Sequence, residues 1–153
     1  MTHGSRADSP VVSVHGCDSY DFNLVDRRIR RMIDELGGIG AFVSNGERIL
    51  LKPNMLIPRR PEEAVTTHPE VLRATIRLVK EAGGIPVVGD SPAGRSTERI
   101  LKHLADRTGI AAVCQEEGAD FVLFTEGAVV QHPEGRVAKS FTLTSVVAEV
   151  DAI

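Results

Sequence analysis

Two short apolar runs, RILLK over Arg48 to Lys52 and IPVVGD over Ile85 to Asp90, flank a stretch of helical periodicity. No other feature constrains the fold as tightly. Val71, Leu72, Thr75, Ile76, Val79 and Ala82 fall on one face of a helix, and the β-branched runs either side read as strands. Strand, helix and strand in that order pair parallel through a right-handed crossover. Thr67-His68-Pro69-Glu70 predicts the helix start as a capping box. In that reading the Thr67 oxygen accepts a backbone N–H, Glu70 reaches back, and Pro69 sits where a missing N–H costs nothing. Gly83-Gly84 closes the helix.

The alternation extends both ways. Val11 to His15 reads as a first strand, and Phe22, Val25, Ile29, Met32, Ile33 and Leu36 as an amphipathic helix ended by Gly37, Gly38 and Gly40. Leu101, Leu104 and Ala105 mark a further helix, Ile110 to Glu117 another, and Asp120 to Thr125 a strand. The order βαβαβααβ predicts an α/β fold, a mostly parallel sheet with flanking helices. After Gly127, Val129-Val130, a Pro133-Glu134-Gly135 turn and Val137 to Thr144 predict an antiparallel hairpin, and Ser145 to Ile153 a last strand.

A length of 153 residues fits one domain. The expected division is a disordered segment over 1–10 and a single α/β domain over 11–153. The chain stops at Ile153 without a turn, cap or polar tail, which reads as C-terminal truncation. Sheet edges left open in that way predict a homo-oligomer.

Composition narrows the function classes. Aromatics are 4%, Trp is absent and the net charge is −3, which argues against nucleic-acid binding, since that needs stacking platforms and a basic surface. No apolar run approaches the ~20 residues that span a bilayer. Met1 to Pro10 has no signal-peptide core, so the expected setting is cytoplasmic. Two cysteines, Cys17 and Cys114, far apart and without CxxC spacing, give no disulfide framework and no cysteine-only metal site within one chain, and Cys17 reads as a buried, inert thiol. His3, His15, His103 and His132 show no zinc spacing. Arg27, Arg28, Arg30 and Arg31 read as a solvated helix face paired with Asp26, Asp34 and Glu35.

In open α/β sheets, ligands bind outside the C-terminal strand ends. Three features land there: Lys52-Pro53-Asn54, Thr66-Thr67-His68, and Gly89-Asp90-Ser91-Pro92-Ala93-Gly94. Cys17, just past the first run, is placed to join them. Lys52, Asn54, Thr66, Thr67, Ser91 and Gly94 are the candidate ligand contacts, with Asp90 and His68 as candidate acid–base groups. A helix N-terminus and a lysine suit a small anionic ligand. Asp90 repels phosphate unless it faces a cation, a hydroxyl or a proton, so the pair also fits a sugar, a metal-bridged ligand or proton transfer. Each residue has a structural reading as well: Thr67 and Glu70 as a cap, Lys52 as a solvated strand end, Asp90 as a loop brace. GDSPAGRS, Gly89 to Ser96, approaches a P-loop but fails it: Arg95 replaces the lysine, Pro92 deletes an N–H and Asp90 puts a negative charge in the nest.

The run ILLKPNMLIPRRPEEAVTTHPEVLRATIRLVKEAGGIPVVGDSPAG, Ile49 to Gly94, strongly resembles the family catalogued as domain of unknown function 362. LLKPN, TTHPEV and VGDSP occur in that family's order. Cys17 and Tyr20 before a helix, and the tail through Val147 to Ile153, are similar too. The resemblance carries over Lys52, Pro53, Asn54, Thr67, His68, Pro69, Gly89, Asp90, Ser91 and Pro92 as motif residues without assigning them roles. Many relatives carry ferredoxin-type iron–sulfur modules, which implies redox chemistry around the family, although this chain has no cluster-forming cysteines and its cofactor is unknown. It also lacks the relatives' usual continuation into an Asn-Leu-Pro-Lys-Leu-Lys-Thr-His-like segment. Three readings stand open: a redox-associated enzyme or cofactor-handling protein, a non-catalytic metabolite-binding module, and a structural fragment with no complete site.

Overall fold

A computed structural model describes residues 10–92 and 97–153. Helix α1, Phe22–Glu35, precedes strand β1, Arg48–Leu51. Helix α2, Pro69–Glu81, crosses over to strand β2, Ile85–Val88. Helices α3, Glu98–Arg107, and α4, Ile110–Glu117, lead to strand β3, Asp120–Phe121. The three strands form one parallel sheet in the order β1-β2-β3. Strands β4, Gly127–Gln131, and β5, Ser140–Thr144, form a separate antiparallel hairpin. The fold is α/β, as the alternation predicts.

Period-2 alternation divides the core between the two sheet faces. Leu51, Val88 and Phe121 turn toward Leu72 and Ile76 of α2, Leu104 of α3, and Ile110 and Val113 of α4. Leu50 and Val87 turn the other way, onto Phe124, Val146 and Val150. Helix α1 docks on α2 rather than on the sheet. Arg30 pairs with Asp26 on its own helix and bridges to Glu81 of α2, while the Arg77 guanidinium lies 4.4 Å over the Phe22 ring. The arginine-rich face is thus partly solvated and partly a helix–helix seam. Glu117 closes α4 onto α2 by accepting from Arg73 and Arg77. Among the described residues no helix is long and apolar enough to cross a membrane.

The ends of the chain depart from expectation. Val11 to His15 is not a strand: Val11, Val12 and Val14 are 70%, 80% and 83% exposed. The open edge of β1 is already taken. Leu50 donates to the Ala152 carbonyl, Asp151 donates to Arg48, and Ala152 bridges Ile49 in parallel. Nor does Ser145 to Ile153 form a full strand. Residues Ser145–Glu149 wind into a 3-10 turn that drops Val146, 7% exposed, onto the Leu50–Val87 face before Ala152 reaches β1. The predicted strand Asp120 to Thr125 shortens to two residues, although the Val122 N–H still donates to Val88.

Candidate functional site

The parallel strands β1 and β2 end side by side, and Lys52 and Asp90 follow them directly. Lys52 Nζ lies 2.5 Å from Asp90 Oδ1. The two partners differ in burial. The Asp90 side chain is 3% exposed and that of Lys52 48%. Asp90 Oδ2 accepts the Met55 N–H at 3.0 Å. Among the described residues Oδ1 is buried without an aligned hydrogen bond, and the ammonium stands against it, held by charge rather than by direction. A carboxylate is tolerated at this depth only with such a partner.

The loop after β1 is tied to the start of α2 by a reciprocal pair. Asn54 N–H donates to Thr67 Oγ1 and Thr67 N–H to the Asn54 carbonyl, both at 2.9 Å. Thr67 is therefore not the helix cap. His68 takes that position, its Nδ1 accepting the Glu70 N–H at 3.2 Å. The predicted capping box fails because the Thr67 hydroxyl is already committed across the loop. Glu70 turns instead to Arg73, 2.9 Å away. Replacing Thr67 by valine orphans the Asn54 N–H, and we expect a loss of about 1 kcal/mol. Urea denaturation checks this, and an unchanged midpoint would show that water substitutes fully.

Accepting at Nδ1 places the hydrogen of neutral His68 on Nε2. Its ring stacks on Tyr20, with centroids 3.7 Å apart and planes 5° apart. Burial holds the His68 pKa below its ordinary 6.5, against the opposing charges of Glu70 and Glu62. With Val71 N–H turned back to the His68 carbonyl and Glu70 N–H on its ring, the first turn of α2 satisfies its own donors. Among the described residues, Lys52 brings positive charge to this edge. Thr66 Oγ1 is buried with no hydrogen-bond partner among the described residues. Leu51, Lys52, Asn54, Thr67 and Val71 line an open cleft of about 240 Å³ beside the pair.

The remaining candidates are placed less closely. Ser91 is exposed at the end of the loop, and Gly94 lies outside the described residues. Cys17 is exposed rather than buried, its thiol donating to the Ser19 carbonyl, because the strand expected to bury it does not form. Cys114 is buried, and burial pushes its thiol up to about 11. Tyr20 and Met55 were not predicted as site contacts. Tyr20 belongs to no periodic pattern, and Met55 contributes a backbone N–H, which no side-chain signal marks.

The family model described as Domain of unknown function (DUF362) matches residues 49–153, more than half of the chain. The chain is similar to the thylakoid-associated protein sll1697 of Synechocystis sp. (strain ATCC 27184 / PCC 6803 / Kazusa), with 42% identity over 92 residues. That stretch is 60% of this chain and 29% of the relative, so the chain spans less than a third of that protein's length. No solved structure matches the chain.

Proposed function

Because the chain belongs to the family described as Domain of unknown function (DUF362), whose matched region contains both strand ends, we propose that the Lys52–Asp90 pair is the centre of a small-ligand site. The ligand is a small anionic metabolite or cofactor, and the setting a redox-associated or cofactor-handling enzyme. Asp90 carries the reading: a buried carboxylate at a strand end, with one oxygen braced by the Met55 N–H and the other facing a half-exposed ammonium. The free side of Lys52 pairs with the ligand's phosphate or carboxylate. Thr66 Oγ1, Thr67, Asn54 and Ser91 supply neutral polar contacts, and Asp90 and His68 handle a hydroxyl or a proton.

Iron–sulfur modules do not fit these residues. The two cysteines are one exposed and one buried, and among the described residues no group of three His, Cys, Asp or Glu is arranged to hold a metal. The redox role is therefore proposed without a step through a cluster here. Two free thiols suit a reducing, cytoplasmic setting. The relative's printed association with thylakoids adds a membrane-adjacent setting as an alternative to be separated by fractionation.

The second reading is structural: the Met55 N–H on Asp90 makes the carboxylate a brace for the loop after β1. A thermal-shift panel of nucleotides, sugar phosphates, short carboxylates and divalent metals separates the two. A ligand at about 100 times its Kd adds about 2.7 kcal/mol, which is roughly 5–10 °C for a chain of this size. We expect a shift in the wild type that is lost in Lys52→Ala. Binding kept but turnover lost in Asp90→Asn indicates an enzyme. Binding without turnover in the wild type indicates a binding module. No shift with any member of the panel leaves only the brace.

A further inference from the structure

Residues 10–21, exposed except for the half-buried Ser13 and His15, run along the molecule without joining a sheet. Ser13 and His15 hold the upstream part to Glu35 at the end of α1, at 2.6 and 2.9 Å. Asp21 ends the segment as the cap of α1. Between these anchors, the Tyr20 ring lies flat on His68 at the start of α2. This segment lies outside the family-matched residues 49–153, yet it covers one of the family's motif positions.

We propose that Tyr20 is the clasp of a pH-released strap, held over the start of α2 while His68 is neutral and freed when His68 takes a second proton. The hydrogen-bond pattern supplies the trigger. Neutral His68 offers the Nδ1 lone pair to the Glu70 N–H. A proton on Nδ1 makes two donors face each other, so the cap is lost. The charged ring, kept from water by the Tyr20 face 3.7 Å away, regains its hydration when Tyr20 lifts off, so the same proton weakens the clasp.

Two effects oppose release. Glu70 on α2 and Glu62 on the 3-10 turn Pro61–Glu63 both favour the imidazolium, as does its attraction to the Tyr20 face. Arg73 already shares the Glu70 carboxylate, which weakens that contribution. Burial ranks above both carboxylates and lowers the His68 pKa from 6.5. The clasped form binds the proton less readily than the free form. Release therefore begins as pH falls below 6.5 and levels off once pH is below the lowered value.

The test needs no ligand and does not depend on the reading of the strand-end site. Tyr20 is the single tyrosine and the chain has no tryptophan, so intrinsic fluorescence reports on this residue alone. We expect its anisotropy to fall between about pH 7.5 and about pH 5, with a midpoint below 6.5 and unchanged far-UV circular dichroism. Quenching by imidazolium shortens the lifetime and raises anisotropy, so it cannot imitate the fall. His68→Asn and His68→Ser keep an N-cap acceptor but neither stack nor titrate. Both should show the low value at every pH. A flat wild-type profile overturns the strap. So does the same transition in either variant, or a fall accompanied by loss of helix signal.

Discussion

Replacing Asp90 by alanine should lower stability by about 2–3 kcal/mol, most of it from a backbone group rather than from the ion pair. The substitution leaves the Met55 N–H without an acceptor, and Met55 is 1% exposed. A buried, unsatisfied donor costs about 1–3 kcal/mol. Lys52, half exposed, turns to water when its partner is gone, so that side of the pair adds less than about 1 kcal/mol. Asp90→Asn keeps an oxygen for Met55 and should cost about half as much. Chemical denaturation of the two variants beside wild type gives the ordering. An alanine variant within about 0.5 kcal/mol of wild type would mean that water or a shifted loop satisfies Met55, and the buried anchor would then be no anchor.

The crossover from β1 through α2 to β2 was readable because three independent signals agree there: β-branched runs, a 3.6-residue period and glycines after the helix. The same signals failed at the chain ends for a reason that lies outside any local window. Val11 to His15 has strand chemistry, but a strand requires an edge, and Ala152 and Asp151 occupy the edge of β1. Competition between segments so distant in sequence leaves no trace in either one. At Thr67 the failure is one of alternatives. A threonine three residues before a glutamate satisfies the capping pattern, yet its oxygen had a second customer in the Asn54 N–H, and His68 took the cap.

Within the candidate site, the sequence pointed to Lys52 and Asp90 because both follow apolar strands, and the topology brings them to 2.5 Å. Their unequal burial was not readable, since it depends on how the loops after both strands fold back. Tyr20 was the larger omission. Its contact with His68 depends on the path of an irregular segment, and such paths carry no periodicity. Gly89 stands in the sequence as a motif residue without a role, and the packing around it supplies one.

A methyl group at Gly89 has nowhere to go. It would stand 2.7 Å from Phe124 Cε1, 2.9 Å from Val122 Cγ2 and 2.9 Å from the Val122 carbonyl oxygen. Gly89 is not among the residues with positive φ, so the requirement is room rather than backbone angle. Neither neighbour yields cheaply. Phe124 fills the core beneath Leu50 and Val87, and the Val122 N–H donates to Val88 at 2.8 Å, so moving that backbone loosens the pairing of β2 with β3. Overpacking costs about 1–3 kcal/mol, and contact with a fixed carbonyl puts Gly89→Ala at the upper end, roughly 6–12 °C in Tm. Gly16→Ala is the matched control, since among the described residues, its chain neighbours aside, no atom lies within 4 Å of its added methyl. Differential scanning calorimetry of the two variants decides the matter. Equal melting points would mean that the end of β2 shifts freely, and a strand end that shifts freely cannot hold Asp90 in register with Lys52. A large loss confined to Gly89→Ala ties the rigidity of the candidate site to the packing of Phe124 on the opposite face of the sheet.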